Sequence, residues 1–135
     1  SKACTFIREG AAFLATHLDI NCPTETGFIP DCGAMCAAIS LSTGKKPKYV
    51  GKPFKETVDM VLEMTGAKRE AMSFVGDRIY TDVKTGVVNG AHGILVLTGE
   101  TKLEDVPKAD VVPDAIFTGL KEMGEILKTM REEEA

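Results

Sequence analysis

The sequence lacks the features that mark several classes of protein. No apolar stretch approaches the roughly 20 residues that a helix needs to cross a bilayer, and the first residues do not resemble a signal peptide. No cluster of lysine and arginine resembles a nucleic-acid-binding surface, and the net charge is −4. We therefore expect a cytoplasmic protein that binds neither membranes nor nucleic acids.

The cysteines do not have the spacing of a zinc site. The chain has four of them, Cys4, Cys22, Cys32 and Cys36, and both histidines are isolated from the cysteines in sequence. Cys32 and Cys36 lie one helical turn apart among alanines. We therefore expect buried, reduced thiols rather than disulfides or metal ligands.

The composition and length indicate one globular domain of ordinary size. The chain has 135 residues, of which 44% are hydrophobic and 27% are charged. From residue 48 onward, apolar runs and amphipathic stretches alternate as strand, helix, strand, helix, strand, strand, helix. This order is typical of an α/β fold with a parallel sheet covered by helices. Residues 1–47 do not continue the pattern cleanly, so Pro47 is the candidate boundary.

The individual elements are predicted from periodicity and turn residues. Residues 21–27 are expected to be turn throughout, and a helix is expected to begin at Asp31 or Cys32 and to end at Gly44. Pro53 is expected in the first turn of the next helix, which Gly66 ends. The other expected elements are strands at 12–16, 49–50, 71–75, 93–98 and 110–112, and helices at 2–10, 81–89 and 114–131.

The most informative segment is the strand 71–75 with the residues that follow it. Gly76 and Asp77 come directly after the apolar run, and Asp82 lies five positions beyond Asp77. Ligands of open α/β sheets bind just beyond the carboxyl ends of the strands. Magnesium prefers a few carboxylates together with water and phosphate oxygens. The pattern predicts a magnesium site with Asp77 as ligand, although Asp82 is equally compatible with a favourable first-turn position of a helix.

Lys52 strengthens the interpretation of a phosphoryl-transfer site. It lies between Gly51 and Pro53 at the end of the strand 49–50, so its ammonium group could reach the same sheet edge. A lysine there offsets charge on a phosphate or on a nucleophilic carboxylate. The alternative is an ordinary surface lysine on a loop between a strand and a helix.

Several short motifs occur along the chain in a fixed order. The later ones are Gly51-Lys52-Pro53, Val75-Gly76-Asp77-Arg78 with Thr81-Asp82, Leu95-Val96-Leu97-Thr98-Gly99 and Pro113-Asp114. The earlier ones are Phe13-Leu14-Ala15-Thr16-His17 with Asp19, Pro23-Thr24 with Gly27, and Gly33-Ala34. Together they resemble the C-terminal half of the haloacid dehalogenase superfamily, in its NagD-like (subfamily IIA) phosphatase branch. The resemblance implies that residues 48–135 are the C-terminal portion of a Rossmann-like core with helices on both faces. It implies that residues 1–47 are the C-terminal portion of an α/β cap.

The resemblance also implies a role for each site residue of the core. Lys52 would stabilise the nucleophile and the transferring phosphoryl group, and Asp77 would bind Mg²⁺. Asp82 would hold a metal-bound water or the lysine. Arg78, which adjoins Asp77 in the same motif, is a candidate for binding substrate.

In the cap segment, the resemblance implies that His17 and Asp19 face the active site and help to select substrate. A polar pair that supports the following turn is an equal alternative. The branch usually has asparagine where this chain has His17, and it often has a Pro-Gly-x-Gly turn where this chain reads Pro30-Asp31-Cys32-Gly33. These departures leave the cap turn open.

The nucleophile of the superfamily is missing from the sequence. Its chemistry begins with an aspartate that attacks phosphorus, followed two positions later by an aspartate that acts as general acid and base. No two aspartates of this chain are two positions apart. We therefore expect a C-terminal fragment of a longer phosphatase that is inactive alone. Exposed strand edges would favour self-association, such as a homodimer.

Two functions remain open from the sequence. The first is part of a Mg²⁺-dependent phosphatase for a small phosphorylated metabolite, such as a nucleotide, a sugar phosphate or pyridoxal phosphate. The second is a non-catalytic α/β module for binding or assembly that retains the metal-site residues. A receiver-like signalling domain is a distant third, because it would need an acidic pair after its first strand.

Overall fold

The computed structural model describes residues 2–133. The chain divides into two compact units, Ser1–Lys52 and Pro53–Ala135. The assignment of residues 1–47 to a cap and 48–135 to a core stays a prediction. Among the described residues, no helix is both long and apolar enough to span a membrane.

The first unit combines two helices with two small sheets. Its elements are α1 (Lys2–Arg8), β1 (Leu14–Ala15), β2 (Asn21–Thr24), β3 (Gly27–Pro30), α2 (Cys32–Thr43) and β4 (Lys48–Tyr49). Strands β1 and β4 pair in parallel, whereas β2 and β3 form an antiparallel hairpin. The expectation that residues 21–27 are turn throughout is wrong. Residues 21–24 pair with residues 27–30 as antiparallel strands, with Cys22 opposite Ile29 and Pro23 opposite Phe28. Only the two residues between β2 and β3 form the turn.

The ends of α2 agree with the sequence prediction. Asp31 is the N-cap residue, and its side chain accepts a hydrogen bond from the Cys32 N–H at 2.7 Å. Gly44 ends the helix with a φ of 70°, and its N–H donates to the Ser40 carbonyl. Cys4 and Cys36 are buried as expected, but Cys22 and Cys32 are half-buried, and all four thiols are free. Cys32 is more exposed than expected because it is the first residue of α2.

The second unit is built on a parallel sheet. Its elements are α3 (Lys55–Thr65), β5 (Ser73–Gly76), a π-helical turn (Ile79–Val83), α4 (Lys84–Val88), β6 (His92–Val96), β7 (Ala115–Phe117) and α5 (Leu120–Glu133). The strand order is β5-β6-β7, with both pairs parallel. One short 3₁₀ helix, Arg69–Ala71, precedes β5, and another, Leu103–Lys108, lies between β6 and β7. The predicted α/β class with parallel strands and helices is confirmed.

Two apolar clusters form the core of the second unit. One consists of Ile79, Val83, Leu95 and Val111, and the other contains Val58 of α3 with Met72 and Ala91. Leu95, Val58 and Val83 have no exposed side-chain surface. Full burial of such a side chain contributes about 1.5–3 kcal/mol. This packing fixes β6 between its neighbours and thereby fixes the ends of β5 and β6, where the candidate site lies.

Three predicted elements are wrong in position. Residues 110–112 form no strand; Val111 instead packs into the core from a loop. The last strand is β7, and α5 begins at Leu120 rather than at residue 114. Asp114 precedes this strand and joins it to β6, because its N–H donates to the Gly93 carbonyl and its carboxylate accepts the Gly93 N–H, both at 2.8 Å. Pro53 lies outside α3, which begins at Lys55.

Candidate active site

Asp77 lies directly after the end of β5 and is held by the loop that follows β6. Its Oδ2 accepts a hydrogen bond from the Glu100 N–H at 2.8 Å, and its carbonyl accepts one from the Thr101 N–H at 3.1 Å. A Cβ on Gly99 would overlap the Asp77 carboxylate, so only glycine allows this approach. The ends of two neighbouring parallel strands thus fix one carboxylate. A carboxylate has two oxygens, and a cation can use the second.

Asp82 lies in the π-helical turn and folds back onto the end of β5. Its Oδ2 accepts the Arg78 N–H at 3.2 Å. A Cβ on Gly76 would overlap the Asp82 side chain, which shows that the carboxylate lies against the residue before Asp77. π-Helical turns often occur at functional sites. Here the turn lets the Asp82 N–H and the Val83 N–H both donate to the Arg78 carbonyl.

Asp77 and Asp82 therefore both lie at the turn that follows β5, and their joint role at a metal ion stays a prediction. Their hard oxygen atoms fit Mg²⁺, which takes few protein ligands and retains water. Each carboxylate accepts a main-chain N–H, so each is positioned before any cation binds. The residues present fit a magnesium ion, and the identity of the metal stays a prediction.

Arg78 is engaged in an ion pair that the sequence did not indicate. Its Nε lies 2.8 Å from Glu100 Oε2, and the Tyr80 hydroxyl donates to Glu100 Oε1 at 2.7 Å. Glu100 thus ties the loop after β6 to the turn after β5. The arginine is half-buried, and its role in binding substrate stays a prediction.

Thr101 is a residue of this region that sequence reasoning missed. Its side chain is buried, and its Oγ1 accepts the Ile79 N–H at 3.1 Å. The motif that ends at Gly99 is adjacent in sequence, so its continuation through Glu100 and Thr101 was the available signal. The two residues make the contacts that join the strand ends.

Lys52 is the last residue of the first unit and follows β4 through Val50 and Gly51. Gly51 is in close contact with Thr16, because a Cβ there would overlap the Thr16 carbonyl oxygen. Lys52 thus comes at the end of a parallel strand, as predicted. Asp77 and Asp82 belong to the second unit, and the approach of Lys52 to them stays a prediction.

His17 lies between two carboxylates in the first unit. Its Nδ1 is 3.6 Å from Asp19 Oδ2, and its Nε2 is 3.6 Å from Asp31 Oδ1. Within residues 2–133, Nδ1 is buried and has no hydrogen-bond partner. One ligand atom from each residue lies within 4.8 Å of the other two, so the three side chains converge on one place.

Asp31 was predicted only as the start of α2, and its approach to His17 was missed. Two main-chain hydrogen bonds bring the segments together. The Asp31 N–H donates to the Ile20 carbonyl at 2.9 Å, and the Gly33 N–H donates to the Asp19 carbonyl at 2.8 Å. These bonds extend the ladder of the β2–β3 hairpin, which the sequence pattern did not predict.

Comparisons with known proteins find a matching family and relatives that are phosphatases. Residues 49–123 match the HAD-hydrolase-like family. The chain is 38% identical over 116 residues to an acid sugar phosphatase of Staphylococcus aureus, covering 86% of this chain and 45% of the relative. The chain spans about half the length of the curated relatives that it matches.

Solved structures give the same result. A 4-nitrophenylphosphatase from Thermotoga maritima is 49% identical with a TM-score of 0.83, covering 92% of this chain and 48% of that one. NagD from E. coli K-12 is 38% identical with a TM-score of 0.80, covering 90% and 47%. A glycerol phosphate phosphatase from Mycobacterium tuberculosis, solved in complex with magnesium, is 32% identical with a TM-score of 0.80, covering 89% and 36%.

Proposed function

The chain belongs to the HAD-hydrolase-like family, and we propose that it forms part of a magnesium-dependent phosphatase for small phosphate monoesters. Its resemblance to the haloacid dehalogenase superfamily and to the NagD-like branch is confirmed by the family match and by the likeness to NagD. The observation that carries the proposal is that Asp77 and Asp82 both lie at the turn after β5, where each carboxylate accepts a main-chain N–H. The phosphatase relatives support the type of reaction.

In this proposal, the second unit supplies the metal-binding side of the site. The Asp77 carboxylate, fixed by the Glu100 N–H, holds Mg²⁺, and Asp82 orients a water or a cation beside it. Bound magnesium would supply positive charge that stabilises the transferring phosphoryl group. Lys52 lowers the cost of bringing that group to a carboxylate nucleophile, because its ammonium offsets the combined negative charge.

The nucleophile itself comes from outside this sequence. The family reaction needs an aspartate with a second one two positions later, and the 135 residues contain no such pair. We propose that an Asp-x-Asp segment of the whole protein supplies both groups. The chain alone then binds metal without turning over substrate.

The first unit supplies the substrate-selecting side in the same proposal, with residues 1–47 as part of a cap. His17, Asp19 and Asp31 present an imidazole between two carboxylates, a set that binds hydroxyl or amine groups of a substrate. Arg78 contacts substrate only if it leaves Glu100. While paired, it positions the loop that holds Asp77.

The first test measures Mg²⁺ binding to the chain by titration calorimetry. Asp77→Asn keeps an oxygen that can accept the Glu100 N–H but removes the charge, and we expect it to weaken binding at least tenfold. Asp59→Asn is the matched control, because it makes the same change at an aspartate of α3 that pairs with Lys55 and Arg69 and has no part in the proposed metal site. Equal affinity of the two variants would remove Asp77 from the metal site.

The second test measures hydrolysis of 4-nitrophenyl phosphate by the chain and by a version extended upstream through an Asp-x-Asp strand. We expect activity only in the extended protein. There, Lys52→Ala should reduce turnover by two or three orders of magnitude, roughly the cost of removing one transition-state donor. Lys45→Ala in the same unit should have little effect. Activity in the short chain would show that the nucleophile is misidentified.

The absence of an Asp-x-Asp pair from the sequence favours one other function, a non-catalytic binding or assembly module. This alternative predicts Mg²⁺ binding by the chain but no activity in any extended version. We also propose self-association through sheet edges, since β5 and β7 are the outer strands of the described three-stranded sheet. Light scattering during size-exclusion chromatography tests this, and a monomer at all concentrations contradicts it.

A further inference from the structure

We propose that Cys32 and Cys36 form a peroxide-reactive thiol pair, in which a hydroperoxide oxidises Cys32 and Cys36 converts the product to a disulfide. The two residues are the first residue of α2 and the residue one turn later. Their sulfur atoms are 4.0 Å apart. No covalent bond joins them in the structure, so the pair is in its reduced form.

The surroundings of Cys32 stabilise a thiolate. The Thr16 hydroxyl donates a hydrogen bond to its Sγ at 3.5 Å. This bond and, to a lesser degree, the main chain of His17 lower the pKa of the Cys32 thiol below its ordinary value. The thiolate is the form that attacks an oxidant, and Cys32 is half-buried rather than enclosed.

The other thiols differ in ways that leave Cys32 as the first to react. Cys36 is only 4% exposed, and burial raises the pKa of its thiol. Cys4 is likewise buried. Cys22 is half-buried like Cys32, but its thiol donates to the Pro23 carbonyl at 3.8 Å. Cys32 Sγ instead accepts a hydrogen bond from the Thr16 hydroxyl, which stabilises its anion.

The reaction has two balanced steps. The Cys32 thiolate attacks the terminal oxygen of a hydroperoxide, so an S–O bond forms, the O–O bond breaks, and the alkoxide leaves and takes up a proton. Cys36, after losing its proton to water, then attacks the sulfur of the Cys32 sulfenic acid. An S–S bond forms, the S–O bond breaks, and hydroxide leaves as water. The two thiols lose two electrons, and the hydroperoxide gains them.

Closing this disulfide must distort the start of α2. Disulfide geometry needs Cβ atoms about 3.5–4.5 Å apart, whereas residues four apart on a helix have Cβ atoms roughly 5–6 Å apart. The first turn is held by the Asp31 cap on the Cys32 N–H, by the bond from the Met35 N–H to the Asp31 carbonyl, and by the bond from the Gly33 N–H to the Asp19 carbonyl. We expect some of these bonds to open when the disulfide closes. We therefore expect a strained disulfide that mild thiol reductants reverse.

The test treats the full chain with one equivalent of hydrogen peroxide and measures mass. Trypsin leaves Cys22, Cys32 and Cys36 on one peptide, residues 9–45, so the work uses a Cys22→Ser background. We expect that peptide to lose two hydrogens and to regain them with dithiothreitol. With Cys36→Ser added, we expect an adduct with dimedone at Cys32 instead, and dimedone distinguishes this product from oxidised Met35. No disulfide and no dimedone adduct would overturn the proposal.

A variant that keeps both thiols guards against a simple loss of folding. Thr16→Val removes the hydroxyl donor, and we expect severalfold slower alkylation of Cys32 by iodoacetamide at neutral pH. In the protein that retains Cys22, the alkylation rate of Cys22 is the internal control, and Thr16→Val should not change it. Equal rates for Cys32 and Cys22 before substitution, or an unchanged Cys32 rate after it, would contradict the thiolate assignment.

Discussion

The two compact units hold their polar side chains in different ways. In the second unit, Asp77 and Asp82 each accept a hydrogen bond from a main-chain N–H. In the first unit, His17 lies 3.6 Å from each of two carboxylates, beyond hydrogen-bonding distance, and its Nδ1 has no described partner. Asp31 of the first unit also accepts a main-chain N–H, as the N-cap of α2. The two groups therefore differ in the imidazole of His17, whose Nδ1 has no hydrogen-bond partner among the described residues.

This difference agrees with the proposed roles, metal binding by the second unit and substrate selection by the first. A metal site gains from ligands that are in place before the ion arrives, because no ordering is then needed on binding. A substrate-selecting group gains from a side chain whose hydrogen bonds are still to be made. The comparison therefore predicts that changes near Asp77 affect binding and stability together, while changes near His17 affect stability less.

The largest effect is expected from Gly99→Ala. The new Cβ would overlap the Asp77 carboxylate, so either the loop or the carboxylate must move. We expect Mg²⁺ affinity to fall at least tenfold and the free energy of unfolding to fall by about 1–3 kcal/mol, as in other overpacked sites. Calorimetry and urea unfolding measure the two effects.

Gly124→Ala is the matched control for that change. Gly124 lies in α5, and an added Cβ would meet nothing within 4 Å. Alanine is favoured over glycine within helices by about 1 kcal/mol, so this variant should be neutral or stabilised. If both substitutions behave alike, the close approach of Gly99 to Asp77 has no energetic importance.

The next effect is expected from Thr101→Val, which keeps the side-chain shape. It removes the hydroxyl that accepts the buried Ile79 N–H. A buried donor left unsatisfied costs about 1–3 kcal/mol. Thr129→Val, on the exposed face of α5, should change stability far less, and urea unfolding of both variants distinguishes them. A Thr101→Val protein as stable as the parent would show that water replaces the hydroxyl.

The sequence predicted the turn after β5 well because its signals are local. The apolar run, the glycine and the spacing of Asp77 and Asp82 lie within a dozen residues. It failed where partners are distant in sequence. Glu100 and Thr101 contact the turn from more than 20 positions away. The motif that ends at Gly99 marks their segment, but it does not identify their partners in the turn.

The same reasoning explains the errors in the fold. Ile116 matches the helical spacing of α5, but pairing of β7 with β6 overrides that pattern. The β2–β3 hairpin was missed because Asn21 and Pro23 are poor strand formers. Pairing with Phe28 and Ile29 brings them into a ladder. Helix caps at Asp31 and Gly44 were predicted correctly because their chemistry is local.

A smaller effect is expected in the first unit from Asp31→Ala. The substitution removes the cap on the Cys32 N–H, which should cost about 1 kcal/mol of unfolding free energy. Asp31→Asn retains a capping oxygen and should recover most of that loss, although it removes the charge beside His17. A full loss in the asparagine variant would show that the charge next to the imidazole matters more than the cap.

The smallest effect is expected from Asp59→Asn, which breaks the ion pairs of Asp59 with Lys55 and Arg69 in the second unit. Hydrogen bonds from Lys55 and then Arg69 lower the pKa of the Asp59 carboxyl below its ordinary value. A depressed folded-state pKa contributes stability above the unfolded-state pKa, near 4, and that contribution is lost as the pH falls through the folded-state value.

Asp59→Asn should therefore lower Tm slightly at pH 6, and this difference should shrink as the pH falls through the folded-state pKa of Asp59. Added salt should also shrink the difference at pH 6. A difference that does not shrink with falling pH would assign the effect to packing of Arg69 against Asn89, whose carbonyl the same guanidinium contacts at 3.0 Å. A Tm loss at pH 6 as large as that of Thr101→Val would contradict the comparison. It would place surface charge, rather than main-chain anchoring, among the main determinants of stability in the second unit.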